Sequence, residues 1–211
     1  MKGIPRPIEA VLACTGLIVV LPLMALVAVL IKTTSTGPVL FVQKRIGRHG
    51  KAFSLYKFRS MRMDNSGIQV TSKNDSRITP IGKIIRKTKL DELPELWNVV
   101  KGDLSIVGPR PEVVKYVDLD NLLWQQVLKA RPGITDPVTL RLRNEEELMG
   151  QQSDPETFYL ETLQPWKLKG YVKYLANRSA ASDLRIIWDT LMAVVIPSRT
   201  PPPSVDEIRR K

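Results

Sequence analysis

Two acidic residues stand side by side in Lys89-Leu90-Asp91-Glu92-Leu93-Pro94-Glu95-Leu96-Trp97-Asn98. Adjacent carboxylates can share a Mg²⁺ ion with a substrate pyrophosphate. One of them can also attack phosphorus and form an aspartyl-phosphate type of intermediate. The local pattern predicts a short helix from near Asp91 to Val100, closed at Gly102. A helix N-terminus presents unpaired amides that favour a phosphoryl group and an ionised aspartate. The same placement suits a capping aspartate and a first-turn glutamate with no chemistry at all. Taken alone, the pair leaves both readings open.

The cations around it shift that balance. Lys57 and Arg59 sit in Lys57-Phe58-Arg59, and Arg110 in Gly108-Pro109-Arg110-Pro111. Arg131 opens Arg131-Pro132-Gly133, and Arg86 lies in a predicted helix. Pro and Gly restrict the backbone and help to aim a guanidinium, which can grip phosphate oxygens with two hydrogen bonds. Pro94, Gly108, Pro109, Pro111, Pro132 and Gly133 are therefore read as structural positions. Phosphoryl transfer depends mostly on positioning and charge neutralisation, so a carboxylate pair, a metal and aimed cations would suffice. A Walker-type phosphate loop is excluded, because Gly82-Lys83 lacks the upstream glycine and the following Ser or Thr.

The chain has 211 residues, a formal charge of +11 and a sequence pI near 9.9, with 43% apolar residues. That suffices for one packed domain and points to an acidic partner: nucleic acid, an anionic membrane face or a phosphate-rich substrate. The single cysteine, Cys14, excludes an intramolecular disulfide framework. The single histidine, His49, lies in a turn-like Gly47-Arg48-His49-Gly50-Lys51, so zinc sites and Ser-His-Asp hydrolysis both rank low.

From Ala10 to Ile31 no residue is charged. At about 1.5 Å per residue such a helix could cross a hydrocarbon core of roughly 30 Å. It is long for a signal-peptide core and lacks a clear small-x-small cleavage site, so retention is expected. Pro22 near its middle removes a backbone donor and predicts a bend. Both flanks are basic: Lys2 and Arg6 before, Lys32, Lys44, Arg45, Arg48 and Lys51 after. The positive-inside rule then gives no direction for a crossing helix, but it is satisfied by a bent helix with both ends cytoplasmic. A straight single-pass helix remains open, because membrane helices tolerate proline.

Further along, Val39 to Arg45 and Ala52 to Phe58 predict a β-hairpin turning at Gly47 to Gly50. Arg62 to Arg77 reads as a loop. Thr79 or Pro80 opens a helix through Lys87 with Ile81, Ile84 and Ile85 on one face. A short helix is predicted over Asn121 to Ala130, and an extended run over Ile134 to Leu142. Three more helices follow over Pro155 to Thr162, Trp166 to Leu175 and Asp183 to Val195. Trp166, Tyr171, Tyr174 and Trp188 alternate with Lys167, Lys169, Lys173 and Arg185. That suits either the headgroup zone of a bilayer or ordinary helix packing with a solvated basic face. Pro201-Pro202-Pro203 predicts a disordered tail.

Several stretches together resemble the monotopic polyprenol-phosphate phosphoglycosyl transferases, the bacterial sugar transferase family. They are Phe41-Val42-Gln43-Lys44-Arg45-Ile46-Gly47, Tyr56-Lys57-Phe58-Arg59-Ser60-Met61, Leu90-Asp91-Glu92-Leu93-Pro94 and Asn98. Lys101-Gly102-Asp103-Leu104-Ser105, Val107-Gly108-Pro109-Arg110-Pro111 and Arg131-Pro132-Gly133-Ile134-Thr135 continue the series. The resemblance runs to about Val195. It departs from the pattern at Leu21, where a serine commonly precedes the bend, and at Asp136-Pro137, where a glycine is usual.

The resemblance implies an α/β, mostly α, membrane-associated fold. It comprises a re-entrant helix bent at Pro22 in residues 1–36, a catalytic domain over 37–197 and a Pro-rich tail over 198–211. The helices would pack at the membrane surface, on the cytoplasmic face of a bacterial inner membrane. It implies that Asp91 attacks the sugar-linked phosphorus of a uridine-diphosphate sugar, uridine monophosphate leaves, and undecaprenyl phosphate takes the phosphosugar. Glu92 would assist as metal or proton partner, with Mg²⁺ held at Asp91 and Glu92. Arg110 and Arg86, then Lys57, Arg59 and Arg131, would bind substrate phosphates. Expected partners are the UDP-sugar, the lipid carrier, anionic lipids and downstream glycosyltransferases, and no nucleic acid. The rival readings are a basic membrane-tethered nucleic-acid binder, which would need aromatics or a recognition helix among its cations, and an inactive scaffold.

Overall fold

A computed structural model describes residues 3–62, 75–196 and 201–209. A long helix α1 (Arg6–Thr34) leads into a hairpin of β1 (Leu40–Ile46) and β2 (Ala52–Phe58). The strands pair antiparallel with Leu40 opposite Phe58 and Ile46 opposite Ala52. His49 takes φ 60° at the hairpin turn, and its side chain is solvent-exposed. Most of the predicted loop over Arg62 to Arg77 lies outside the described residues. What is described of it closes with a bridge between Met61 and Ile78.

Helix α2 (Pro80–Lys87) begins where the sequence places it, with the Thr79 hydroxyl accepting from the Gly82 amide. Of its isoleucines, Ile85 is buried and Ile81 is packed, whereas Ile84 is exposed. Around the acidic pair the structure departs from expectation. Leu90–Glu92 form a tight 3₁₀ turn entered through Lys89 at φ 59°, and helix α3 (Glu95–Lys101) starts only after Pro94. Asp91 is thus not the cap of an α-helix: Pro94 breaks the pattern one turn later than the acidic residues suggest. Gly102 closes α3 at φ 93°, as expected.

Strand β3 (Ser105–Val107) pairs in parallel with β5 (Gly133–Thr135), and β4 (Glu112–Val113) adds to β1. Helix α4 (Leu122–Val127) is capped by the Asn121 side chain. The predicted extended run over Ile134 to Leu142 is corrected after Thr135. Asp136 accepts from the amides of Val138 and Thr139, and Pro137 opens helix α5 (Pro137–Arg141). The chain continues through α6 (Glu145–Gly150) and α7 (Pro155–Phe158). A π-helical turn over Tyr159–Leu163 joins α7 to α8 (Gln164–Ala176), fusing two predicted helices. Helix α9 (Ala180–Val195) begins with a reciprocal Ser179–Ser182 capping box.

The largest cluster of buried apolar residues includes Trp124, Met149, Phe158, Leu163 and Tyr171. Tyr171 and Tyr174 are core residues, so packing and not headgroup contact accounts for them; Trp188 is exposed. The expectation of a disordered tail is also corrected. Helix α10 (Val205–Arg209) buries Ile208 in the same cluster, and Glu207 pairs with Arg141.

Helix α1 has two unlike faces. Ala13 packs with Leu55 and Val99, and Val27 and Ile31 with Phe58 and Ile85. Ile18, Val19, Leu21, Leu26 and Val29 are exposed. Both ends are tied to the rest of the chain. At the start, Arg6 donates to the carbonyls of Val99 and Val100, and Glu9 accepts from the Ile106 amide. At the finish, Arg59 donates to the carbonyls of Ser35 and Thr36.

Candidate active site

The site is assembled where β2, the 3₁₀ turn and α3 meet. Asn98, fully buried on α3, completes the open edge of β2. Its Oδ1 accepts from the Tyr56 amide (3.1 Å) and its Nδ2 donates to the Ser54 carbonyl (2.7 Å). This locks Lys57, the next residue of β2, in front of the acidic segment. Lys57 Nζ lies 3.1 Å from Oε1 of Glu92 and 3.1 Å from Oε1 of Glu95.

Arg110 arrives from the other side. Its Nη2 donates to the same Oε1 of Glu92 at 2.5 Å. The loop that aims it is held by close backbone approach. Gly108 N donates to Thr135 O (2.9 Å), and Gly133 N donates to Pro109 O (3.0 Å). A Cβ on Gly133 would lie 2.2 Å from Gly108 N, which explains why both motifs place a glycine at this contact. Arg45 secures the end of the loop by donating to Pro111 O (3.2 Å) and Glu112 Oε1 (3.3 Å).

The two acidic neighbours are therefore shifted in opposite directions. Burial disfavours the charged form of Glu92, but Arg110 and Lys57 overcome it and hold the carboxyl well below the usual range. Burial, then the charge of Glu92, push Asp91 up. Asp91 is 7% exposed and its Oδ1 is buried with no hydrogen-bond partner. A buried unpaired polar oxygen carries a desolvation cost, and functional sites are where such costs are retained.

Of the other predicted cations, Arg86 lies near enough to favour ionised Asp91, but its guanidinium is engaged by Glu146 and by Ser60 Oγ. Arg59 is 2% exposed and its terminal nitrogens serve the end of α1, so it ties β2 to the apolar helix. Arg131 is half-buried among Arg6, Glu9, Arg48 and Arg178, none of which belongs to the Asp91 group; its own carbonyl backs onto Gly108. The structure thus brings together Asp91, Glu92, Lys57 and Arg110, with Arg86 beside them.

Two members of the site were quoted in the sequence without a role. Glu95 is a third carboxylate of the site, itself buried at 1% exposed, and its spacing of three from Glu92 was the available signal. Asn98 carried no local signal, because its partners lie on a strand more than forty positions earlier.

Among the described residues no group of three or more His, Cys, Asp or Glu side chains converges to hold a metal ion. Mg²⁺ needs no such cage; one or two carboxylates plus substrate phosphates commonly suffice. The unpartnered Asp91 Oδ1 fits that mode.

A carboxylate left unpaired beside aimed cations, next to a long apolar helix, defines a site suited to phosphoryl chemistry on a partly apolar substrate. Residues 2–197 match the bacterial sugar transferase family, and the chain belongs to that family. An exopolysaccharide production protein of Rhizobium leguminosarum bv. phaseoli is 36% identical over 198 residues, covering 89% of this chain and 93% of the relative. A UDP-N-acetylgalactosamine-undecaprenyl-phosphate N-acetylgalactosaminephosphotransferase of Aeromonas hydrophila is 45% identical over 199 residues, 91% of this chain and 44% of the relative. A UDP-glucose:undecaprenyl-phosphate glucose-1-phosphate transferase of Klebsiella pneumoniae is 38% identical over 181 residues, 83% and 36% respectively. The chain thus spans nearly all of one relative and under half of the other two.

Proposed function

We propose that this chain transfers a sugar-1-phosphate from a UDP-sugar to undecaprenyl phosphate, releasing UMP. The observation that carries the proposal is Asp91: a buried carboxylate with an unpartnered oxygen, beside a glutamate already neutralised by Lys57 and Arg110. Family membership and the names of the relatives support the substrate classes. Those names differ in the sugar, so the donor is left as a UDP-sugar.

In the first step an Asp91 oxygen bonds to the sugar-linked phosphorus. The bond from that phosphorus to the bridging oxygen breaks, and UMP leaves with the electron pair. In the second step a phosphate oxygen of the lipid carrier attacks the same phosphorus and the Asp91 carboxylate is restored. Arg110 and Lys57 supply the positive field in which pyrophosphate charge is tolerated, and Glu92 holds both in place. Asp91 and Glu92 would hold Mg²⁺, which neutralises pyrophosphate charge when bound.

The same proposal places the chain on the cytoplasmic face of a bacterial inner membrane, with α1 re-entrant. Its support is that both ends of α1 are tied to one folded body while its middle exposes Ile18, Val19 and Leu21. A helix held in this way would not deliver its ends to opposite faces of a bilayer. Pro22 lies within that exposed middle, where a bend would turn the chain back. Helix α9 adds Leu184, Trp188 and Leu191, exposed at helical spacing and suited to lie in the interface.

The test is release of UMP by the protein in lipid particles with undecaprenyl phosphate, Mg²⁺ and a panel of UDP-sugars. Release with at least one donor, lost with Asp91→Asn and with excess EDTA, is expected. Undiminished release in EDTA would remove the metal. Release by a folded Asp91→Asn variant would remove the nucleophile.

A further inference from the structure

We propose that Glu95 is a positioning residue that holds the Lys57 ammonium on Glu92 and off Asp91, so that the Asp91 carboxylate stays uncommitted. This rests on the reading of Asp91 as the nucleophile. The problem it solves is visible in the geometry. Lysine carries three donors on a long flexible stem, and the nearest carboxylates compete for them. Asp91 lies within the field of Lys57, which is the strongest favourable charge acting on it. Yet Asp91 Oδ1 is buried without a hydrogen-bond partner.

Glu92 alone is a weak holder, because its Oε1 also receives Arg110 at 2.5 Å. One oxygen then serves two cations. Glu95 supplies the second hold as an ion pair: its Oε1 lies 3.1 Å from the ammonium without forming a hydrogen bond to it. It is 1% exposed and lies one turn before Asn98 on α3, whose side chain is locked to the edge of β2. The spacing between Glu95 and Lys57 is therefore set by backbone contacts that do not involve substrate. Buried in this way, Glu95 makes its ion pair in the site with Lys57 and acts on the site chiefly through it. Removing its charge would free the ammonium to lean on Asp91, where a charge-assisted hydrogen bond would occupy the attacking oxygen.

The experiment compares Glu95→Gln, which keeps the shape, with the native residue in the UMP-release assay, with thermal unfolding as a folding control. The expected result is a fall in kcat of about 10- to 100-fold with the donor KM within about threefold, the signature of an interaction that matters in the transition state. In a Lys57→Met background the same substitution should cost less than about threefold, because residues acting as a unit are not additive. The double variant leaves no unpaired buried charge at this pair, so the cycle can be read from the Lys57→Met side even where Glu95→Gln alone folds poorly. Full-rate Glu95→Gln, a rise in KM at constant kcat, or an equal loss in both backgrounds would overturn the role. An inert native protein, or an active Asp91→Asn, would instead overturn the reaction itself. A native protein that turns over, a dead Asp91→Asn and an unimpaired Glu95→Gln would overturn the positioning role alone.

Discussion

Asp183 and Asp91 are both buried aspartates, and the chain treats them in opposite ways. Asp183, fully buried on α9, accepts from Arg178 Nε (3.0 Å) and Nη2 (2.8 Å), from the Tyr174 hydroxyl (2.8 Å) and from the Ile4 amide (3.2 Å). Its charge is compensated on every side, and it joins the residues before α1 to α8 and α9. Asp91 keeps a buried oxygen unpartnered, while Lys57 and Arg86 beside it are held by Glu92, Glu95 and Glu146. Saturation is what a structural carboxylate needs. An unsaturated carboxylate costs stability, and chemistry is the physical return that explains its retention.

The comparison breaks most sharply on the two aspartates themselves. Asp91→Asn keeps shape and is expected to lower turnover by at least about 10³-fold while the thermal midpoint stays near native. Asp183→Ala should do the reverse. It strands the buried Arg178 guanidinium, so stability should fall by about 3–5 kcal/mol in denaturant titration, with turnover per folded molecule retained. A stable but inactive Asp183→Ala variant would erase the distinction.

A smaller effect is expected at Glu92. Glu92→Gln loosens Arg110 and Lys57 together and should lower turnover about 10²-fold, near 2.7 kcal/mol of transition-state stabilisation. Lys57, no longer shared, should still be held by Glu95 in that variant, so some covalent intermediate should remain detectable by mass spectrometry.

The mildest test uses Asp136, a third buried aspartate. It caps α5 with two amides and the Thr139 hydroxyl, and burial raises its pKa. A carboxyl raised above its unfolded value contributes stability that is full below the unfolded pKa and is lost as pH climbs through the folded one. Asp136→Asn keeps the cap and removes that loss, so at pH 7 it should be neutral or slightly stabilising. Asp136→Ala should cost about 1 kcal/mol. Chemical denaturation at pH 7 separates them.

Local chemistry was legible wherever it was local. Thr79 before Pro80, Gly102 after α3 and the hairpin around Gly47 to Gly50 follow from capping and turn residues, and the structure keeps them. Pattern misled where two local signals collided. Asp91-Glu92 look like a helix start, but Pro94 moves the helix to Glu95 and leaves a 3₁₀ turn. Asp136-Pro137 was an unexplained departure within an extended run, and it proves to be the cap and first residue of a helix. The Pro-rich tail gave no hint of Ile208, because its burial depends on an apolar cluster supplied by distant helices.

By itself the sequence determined the residue types of the site, the apolar length of α1 and the Gly-Pro motifs, since these rest on composition and short-range backbone restriction. Only the tertiary structure decided which cations meet the Asp91–Glu92 pair. Arg110 and Lys57 are brought to Glu92 by the β3–β5 contact and by Asn98 on the β2 edge. Arg59 and Arg131, equally well scaffolded in sequence, are turned to α1 and its surroundings. A guanidinium's direction is set by what its backbone packs against, and those partners lie tens of residues away.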